Sequence, residues 1–202
     1  MTEFRVRPAR VCDAARIAEV HIAAWRAAYR GIMTDDVLDS LDLERQSAAW
    51  STNLGDEQSP MSSLVAVRAG PHEATADTHE ATAGTDEATA DPRIIGFGGV
   101  CPPRDVAEVL DRLPDTSGLG QLASINLHPD VFGTGAGAVL LHALEDELRE
   151  LGFTRAYLMV AEGNERAMRF YAKHGWHRTE ITHVFDGVTP AVPERLFTID
   201  LG

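Results

Sequence analysis

A chain of 202 residues with 44% hydrophobic content can bury one core and is short for two domains. Its formal net charge of −13 argues against nucleic acid, whose phosphates need a basic face, and is at most a mild attraction for cations. No apolar run of ~18 residues suits a membrane span, Met1–Arg10 lacks the apolar run of a secretory signal, and Cys12 and Cys101 lack metal-ligand spacing, so free thiols, a cytoplasmic location, and neither metal nor membrane are expected.

Phe4-Arg5-Val6-Arg7-Pro8 alternates apolar and charged residues and reads as a first strand. Asp13 is placed to cap a helix in which Ile17, Val20, His21, Ala24, Trp25 and Ala28 fall at helical spacing and which Gly31 ends. Thr34 opens a second helix that runs through Val37, Leu38 and Leu41 towards Trp50, and Ser63–Arg68 is a strand.

Three copies of one heptapeptide follow, at 72–78, 79–85 and 86–92. None carries a side chain that could anchor a core, so the stretch should stay mobile. His72, His79 and Asp86 recur at seven-residue spacing but lack the convergence and outer support of a metal site. Arg93–Val100 resumes as a strand, so 71–92 reads as an insertion at a hairpin tip, where added length costs little. Strand Leu122–Leu127, a helix from Ala138 towards Gly152, strand Phe153–Val160, helix Asn164–His174, and strands Trp176–Val184 and Arg195–Leu201 complete the chain. The order β-α-α-β-β-β-α-β-α-β-β predicts an α/β (α+β mixed sheet) fold with helices on both faces.

Between the strand ending at Leu127 and the next helix lie Phe132-Gly133-Thr134-Gly135-Ala136-Gly137-Ala138. Alternating glycines let backbone N–H groups converge on an anion, and a helix start adds free amides and a positive dipole end. A pyrophosphate suits such a loop. The segment also satisfies the loose G-x-G-x-x-G/A dinucleotide pattern, with Glu162 ending the next strand. About forty residues follow Glu162, too few for the second half of a dinucleotide fold.

His128-Pro129-Asp130 with the Phe132–Gly137 loop resembles the acyl-CoA loop Q/R-x-x-G-x-G/A of the GNAT superfamily of N-acetyltransferases, with Phe132 in the Q/R place. Asn164-Glu-Arg-Ala167-Met168-Arg-Phe170-Tyr171-Ala-Lys-His-Gly175-Trp176 resembles that family's N-x-x-A-x-x-F-Y-x-x-x-G-F segment, and Trp25-Arg-Ala-Ala-Tyr29-Arg30-Gly31 resembles a bacterial subset. The resemblance implies one domain over 1–202 with the insertion at 71–92, and a central mixed, mostly antiparallel sheet splayed between strands 4 and 5. It further implies acetyl-CoA as co-substrate and an amine of a small molecule or protein as acceptor.

On that resemblance Ile125, Asn126 and Leu127 would pair with the pantetheine arm, an amide near Leu127 serving the thioester oxygen. Phe132, Gly133, Thr134, Gly135, Ala136, Gly137 and Ala138 would hold the pyrophosphate, and Asn164 and Ala167 would meet the pantetheine side. Tyr171 would protonate the departing thiolate. Read as residues alone, Asn164 could equally be a helix cap, and Tyr171 plain core packing. Trp25 and Tyr29 stand between lining an acceptor pocket and packing the core; Asp186 and Glu194, near the last hairpin, could attract a cation.

Thr134 stands where a basic residue is frequent, and Gln121 and Met159 where relatives carry a base. Glu162, His128, His183 and water remain as proton acceptors, with Glu162 the carboxylate assigned. The missing bases also admit a module that binds acyl-CoA without turnover. Oligomeric state stays open between monomer and homodimer.

Overall fold

The computed structural model describes residues 4–69, 93–104 and 107–202. The repeats, and the mobility expected of 71–92, lie outside the described residues. Seven strands form one sheet in the order β1-β2-β3-β4-β5-β7-β6. Their ranges are β1 Phe4–Pro8, β2 Ser62–Arg68, β3 Ile94–Cys101, β4 Leu119–Leu127, β5 Arg155–Ala161, β6 His177–Phe185 and β7 Val192–Asp200. All neighbours are antiparallel except β4 and β5, as the mixed, mostly antiparallel expectation requires.

Alternation along β2 explains why both faces carry helices. Val65 and Val67 pack with Ile17 and Val20 of α1 (Ala14–Ala28), while Leu64 and Ala66 join the cluster of α5 (Ala136–Glu150) on the other face. Leu140, Leu141, Leu144 and Leu148 of α5 are fully buried, each stabilising the fold by about 1.5–3 kcal/mol. The helix comes this close because two sheet positions lack side chains. A Cβ on Gly98 would meet Leu144 Cδ1 at 2.5 Å, and one on Gly120 would meet Leu148 Cδ2 at 2.6 Å.

Two local expectations are corrected. Asp13 does not cap α1. Its carboxylate, 1% exposed, accepts from the Arg10 amide at 2.9 Å and from Arg7 at 2.7 and 3.0 Å, tying β1 to the chain entering the helix. The helix expected from Thr34 to Trp50 is two helices, α2 (Asp35–Asp39) and α3 (Leu43–Gly55). Asp42 divides them: its side chain accepts from the Arg45 amide at 2.8 Å and so starts a new helix. A short turn, α4 (Ala107–Leu110), precedes β4, and α6 (Glu165–Lys173) follows β5. Among the described residues no helix is long and apolar enough to cross a membrane.

The parallel pair positions the site. Only Leu119–Gln121 of β4 pair with Arg155–Tyr157 of β5. Beyond them the register of β4 against β3 shifts, with Ser124 opposite Gly99 but Leu122 opposite Val100, so Ala123 is the extra residue of a bulge. A bulge bends its strand. β4 thus leaves β5, which stays paired to β7 through Ala161, and a wedge opens between them.

Candidate functional site

The wedge is a cleft of about 430 Å³. One wall is the end of β4, with Ile125, Asn126 and Leu127; the floor is the glycine loop; the other wall is α6, and Ala24 and Ala28 of α1 close one side.

Backbone hydrogen bonding decides which groups of β4 face the gap. The His128 amide donates to the Ile95 carbonyl at 2.7 Å while Leu127 stands opposite Gly96. That makes Leu127 and Gly96 a pair without mutual hydrogen bonds, so Leu127 turns its amide and carbonyl away from β3, into the wedge. Ile125, two residues back, does the same.

The loop is shaped by its glycines for different reasons. Gly133 and Gly135 take φ of 78° and 93°, a region other residues seldom adopt. Gly137 has ordinary backbone, but a Cβ there would lie 3.0 Å from Leu127 Cδ1. The amides of Phe132 and Thr134 turn back to Pro129 and Val131. Among the described residues the amides of Gly133, Gly135 and Gly137 donate to no backbone carbonyl, and all three glycines line the cleft. α5 begins at Ala136, two residues before the expected start, so its free amides belong to this set. Phe132 and Ala138 also line the cleft. Thr134 and Ala136 do not: the Thr134 hydroxyl bonds the Val131 carbonyl at 2.8 Å, and Ala136 is buried in the core.

Asn164 caps α6 and also faces the cleft. Its side-chain oxygen accepts from the Ala167 amide at 3.1 Å as a helix cap, and it lines the cleft beside Ala167. The cap leaves its NH2 group for a ligand. Tyr171, 8% exposed, lines the cleft next to the core, and its hydroxyl bonds no described residue. Burial, and then Tyr29, push its phenol well above the usual value.

The Trp25 and Tyr29 rings meet at a 59° tilt with centroids 5.1 Å apart, within an apolar group with Ala161 and Val192, beside the cleft rather than on its wall. Burial and then the charge of Glu194 raise the Tyr29 phenol to about 12. Glu162 is also off the wall. Its amide bonds the Pro193 carbonyl at 2.7 Å and its carboxylate is ion-paired with Arg195. His128 Nδ1 accepts from the Asp130 amide at 3.4 Å, and His183 stands opposite Glu194 in the last hairpin; neither lines the cleft.

The α6 wall carries three polar residues that sequence reasoning missed: Arg166, Lys173 and His174. The signal was available. Arg166, Phe170, Lys173 and His174 recur at i, i+4, i+7 and i+8, one stripe of a helix.

Residues 46–176 match the acetyltransferase (GNAT) family, and the chain belongs to it. An uncharacterized N-acetyltransferase of Mycobacterium tuberculosis (strain ATCC 25618 / H37Rv), Rv2669, is 41% identical over 56 residues, which are 28% of this chain and 36% of the relative. The match thus spans about a third of that relative's length. The fold is also that of PaiA N-acetyltransferase from Thermoplasma acidophilum, solved in complex with coenzyme A (TM-score 0.64, 18% identity, 98% of this chain and 99% of that one). YncA of Salmonella typhimurium, a putative acetyltransferase solved with acetyl-CoA, gives a TM-score of 0.62 at 16% identity, over 100% of this chain and 95% of the other.

Proposed function

We propose that this chain transfers the acetyl group of acetyl-CoA to a primary amine of a small molecule or a protein, by direct attack within a ternary complex. One observation carries the reading: the inward amide of Leu127, the amides of Gly133, Gly135 and Gly137, which bond no described carbonyl, and the Tyr171 hydroxyl share one cleft. The CoA complexes of PaiA and YncA support the choice of donor.

In this reading the loop amides take the pyrophosphate, and Ile125 and Leu127 pair with the pantetheine arm as a missing strand would. The Leu127 amide donates to the thioester oxygen and strengthens its hold as negative charge develops there. The amine forms its N–C bond as the C–S bond breaks. Tyr171 gives its proton to the sulfur and regains one from solvent. Burial keeps that proton on the phenol until it is needed, and the same surroundings disfavour a charged thiolate. The surplus ammonium proton leaves to water. Glu162, the carboxylate expected to receive it, is off the cleft wall and held by Arg195. Trp25 and Tyr29, with Glu194 nearby, would border the acceptor, and the carboxylate favours a cationic amine.

Release of free thiol on mixing protein, acetyl-CoA and a panel of polyamines, aminoglycosides and peptide amines tests the reading. Turnover with any of them supports it. A second reading, a module that binds acyl-CoA without turnover, is favoured by the lack of any carboxylate on the cleft wall among the described residues. Tight binding with no thiol released across the panel would establish it.

A further inference from the structure

Resting on the acyl-CoA reading, we propose that Arg166, stacked on Phe132, is the charged clamp on the diphosphate of coenzyme A, supplied from α6 because the loop lacks a basic side chain of its own. The guanidinium lies over the Phe132 ring, 3.4 Å from its centroid. Both residues line the cleft, and Phe132 leads into the glycine amides. Arg166 forms no hydrogen bond or ion pair with any described residue. Its helix neighbour Arg169, by contrast, pairs with Glu165 at 3.8 Å.

The placement is costly without an anion. Arg166 is the second residue of α6, where the helix dipole disfavours a cation. It is also partly desolvated, which lowers its pKa without removing its charge. The flat ring fixes the guanidinium plane, so a fork of donors is presented in one orientation. A phosphate oxygen held by the glycine amides would accept from that fork, and the charge-assisted bonds would offset the placement. Phe132, which occupies the Q/R place, thus acts by holding the cation rather than by carrying it.

Calorimetry of the full chain with coenzyme A and with 3′-dephospho-coenzyme A tests the assignment. Arg166→Met keeps a long stem over the ring and removes the charge. It should weaken both ligands by the same factor, about tenfold or more, while the ligand-free chain unfolds at a temperature no lower than wild type. Phe132→Leu should weaken both less, and should add nothing in the Arg166→Met background. Equal affinity of Arg166→Met and wild type overturns the clamp. A loss confined to coenzyme A overturns it as well, by assigning Arg166 to the 3′-phosphate. A wild-type chain that binds neither ligand overturns the acyl-CoA reading, and the clamp with it, without recourse to any variant.

Discussion

The Trp50 indole nitrogen donates to Nδ1 of His21 across 3.5 Å and joins α3 to α1. The bond needs a neutral imidazole as acceptor. Trp25 and Phe97 enclose the same ring edge-on, at 5.0 and 5.7 Å. Burial accordingly lowers the His21 pKa to about 4. A folded-state value below the unfolded one means that the unfolded chain binds the extra proton. The stabilisation is therefore complete above pH ~6.5 and is lost as pH falls towards ~4, by up to about 3 kcal/mol. Urea midpoints measured from pH 7.5 to 4.5 should fall more steeply for wild type than for His21→Phe. Parallel curves would show that His21 does not carry the effect.

Tyr171→Phe removes the only hydroxyl that α6 brings to the cleft wall. Turnover should fall by about 10²-fold or more, the usual scale for a lost general acid, with acetyl-CoA affinity nearly unchanged. Because the phenol is held well above its ordinary value, the wild-type rate should show no fall attributable to this group between pH 7 and 10. An unaltered kcat would remove Tyr171 from the mechanism.

Glu162→Gln separates proton acceptance from scaffolding. Arg195 is held between Glu162 and Glu180, the latter at 3.7 Å, and its side chain is 13% exposed. Losing one carboxylate leaves a mostly buried guanidinium short of charge, so stability should fall by about 1–3 kcal/mol. The acidic limb of the pH–rate profile should not move. A displaced limb would return Glu162 to the role of base.

Gly98→Ala tests how closely α5 lies on the sheet. The new methyl would sit 2.5 Å from Leu144 Cδ1 and 2.8 Å from the Ser124 carbonyl oxygen. The leucine can turn; the carbonyl belongs to β4 and cannot move without shifting the strand that faces the cleft. A loss of about 1–3 kcal/mol is expected, seen as a lower denaturant midpoint, together with weaker acetyl-CoA binding. A variant as stable as wild type would mean that the layers are less tightly apposed.

Periodicity made the strands and the long helices legible: β2 alternates between two helical layers, and the leucines of α5 fall on one stripe. The glycine loop was legible because its chemistry is local. Errors arose where one polar side chain had two uses. Asp13 sits where a cap belongs, yet Arg7 and the Arg10 amide claim its carboxylate, and nothing local announces an arginine six residues back. Asp42 looked like one more polar residue on a helix and proved to begin a new one. Arg166 falls at a free position of the family-like segment, whose fixed positions include Asn164, Ala167 and Tyr171, and its partner Phe132 is distant in sequence. For Glu162, which stands as a proton acceptor because Gln121 and Met159 occupy the places of the family's bases, the ion pair with Arg195 across the ladder is visible only once the strands are paired.

The parting of β4 from β5 after three rungs has a bearing on how such chains diverge. The groups that Ile125 and Leu127 turn into the wedge are peptide, and every amino acid except proline supplies the same N–H. Side chains along the wedge can therefore be exchanged without losing the inward amides, provided the bulge and the glycines keep their geometry. PaiA and YncA keep this fold at only 18% and 16% identity.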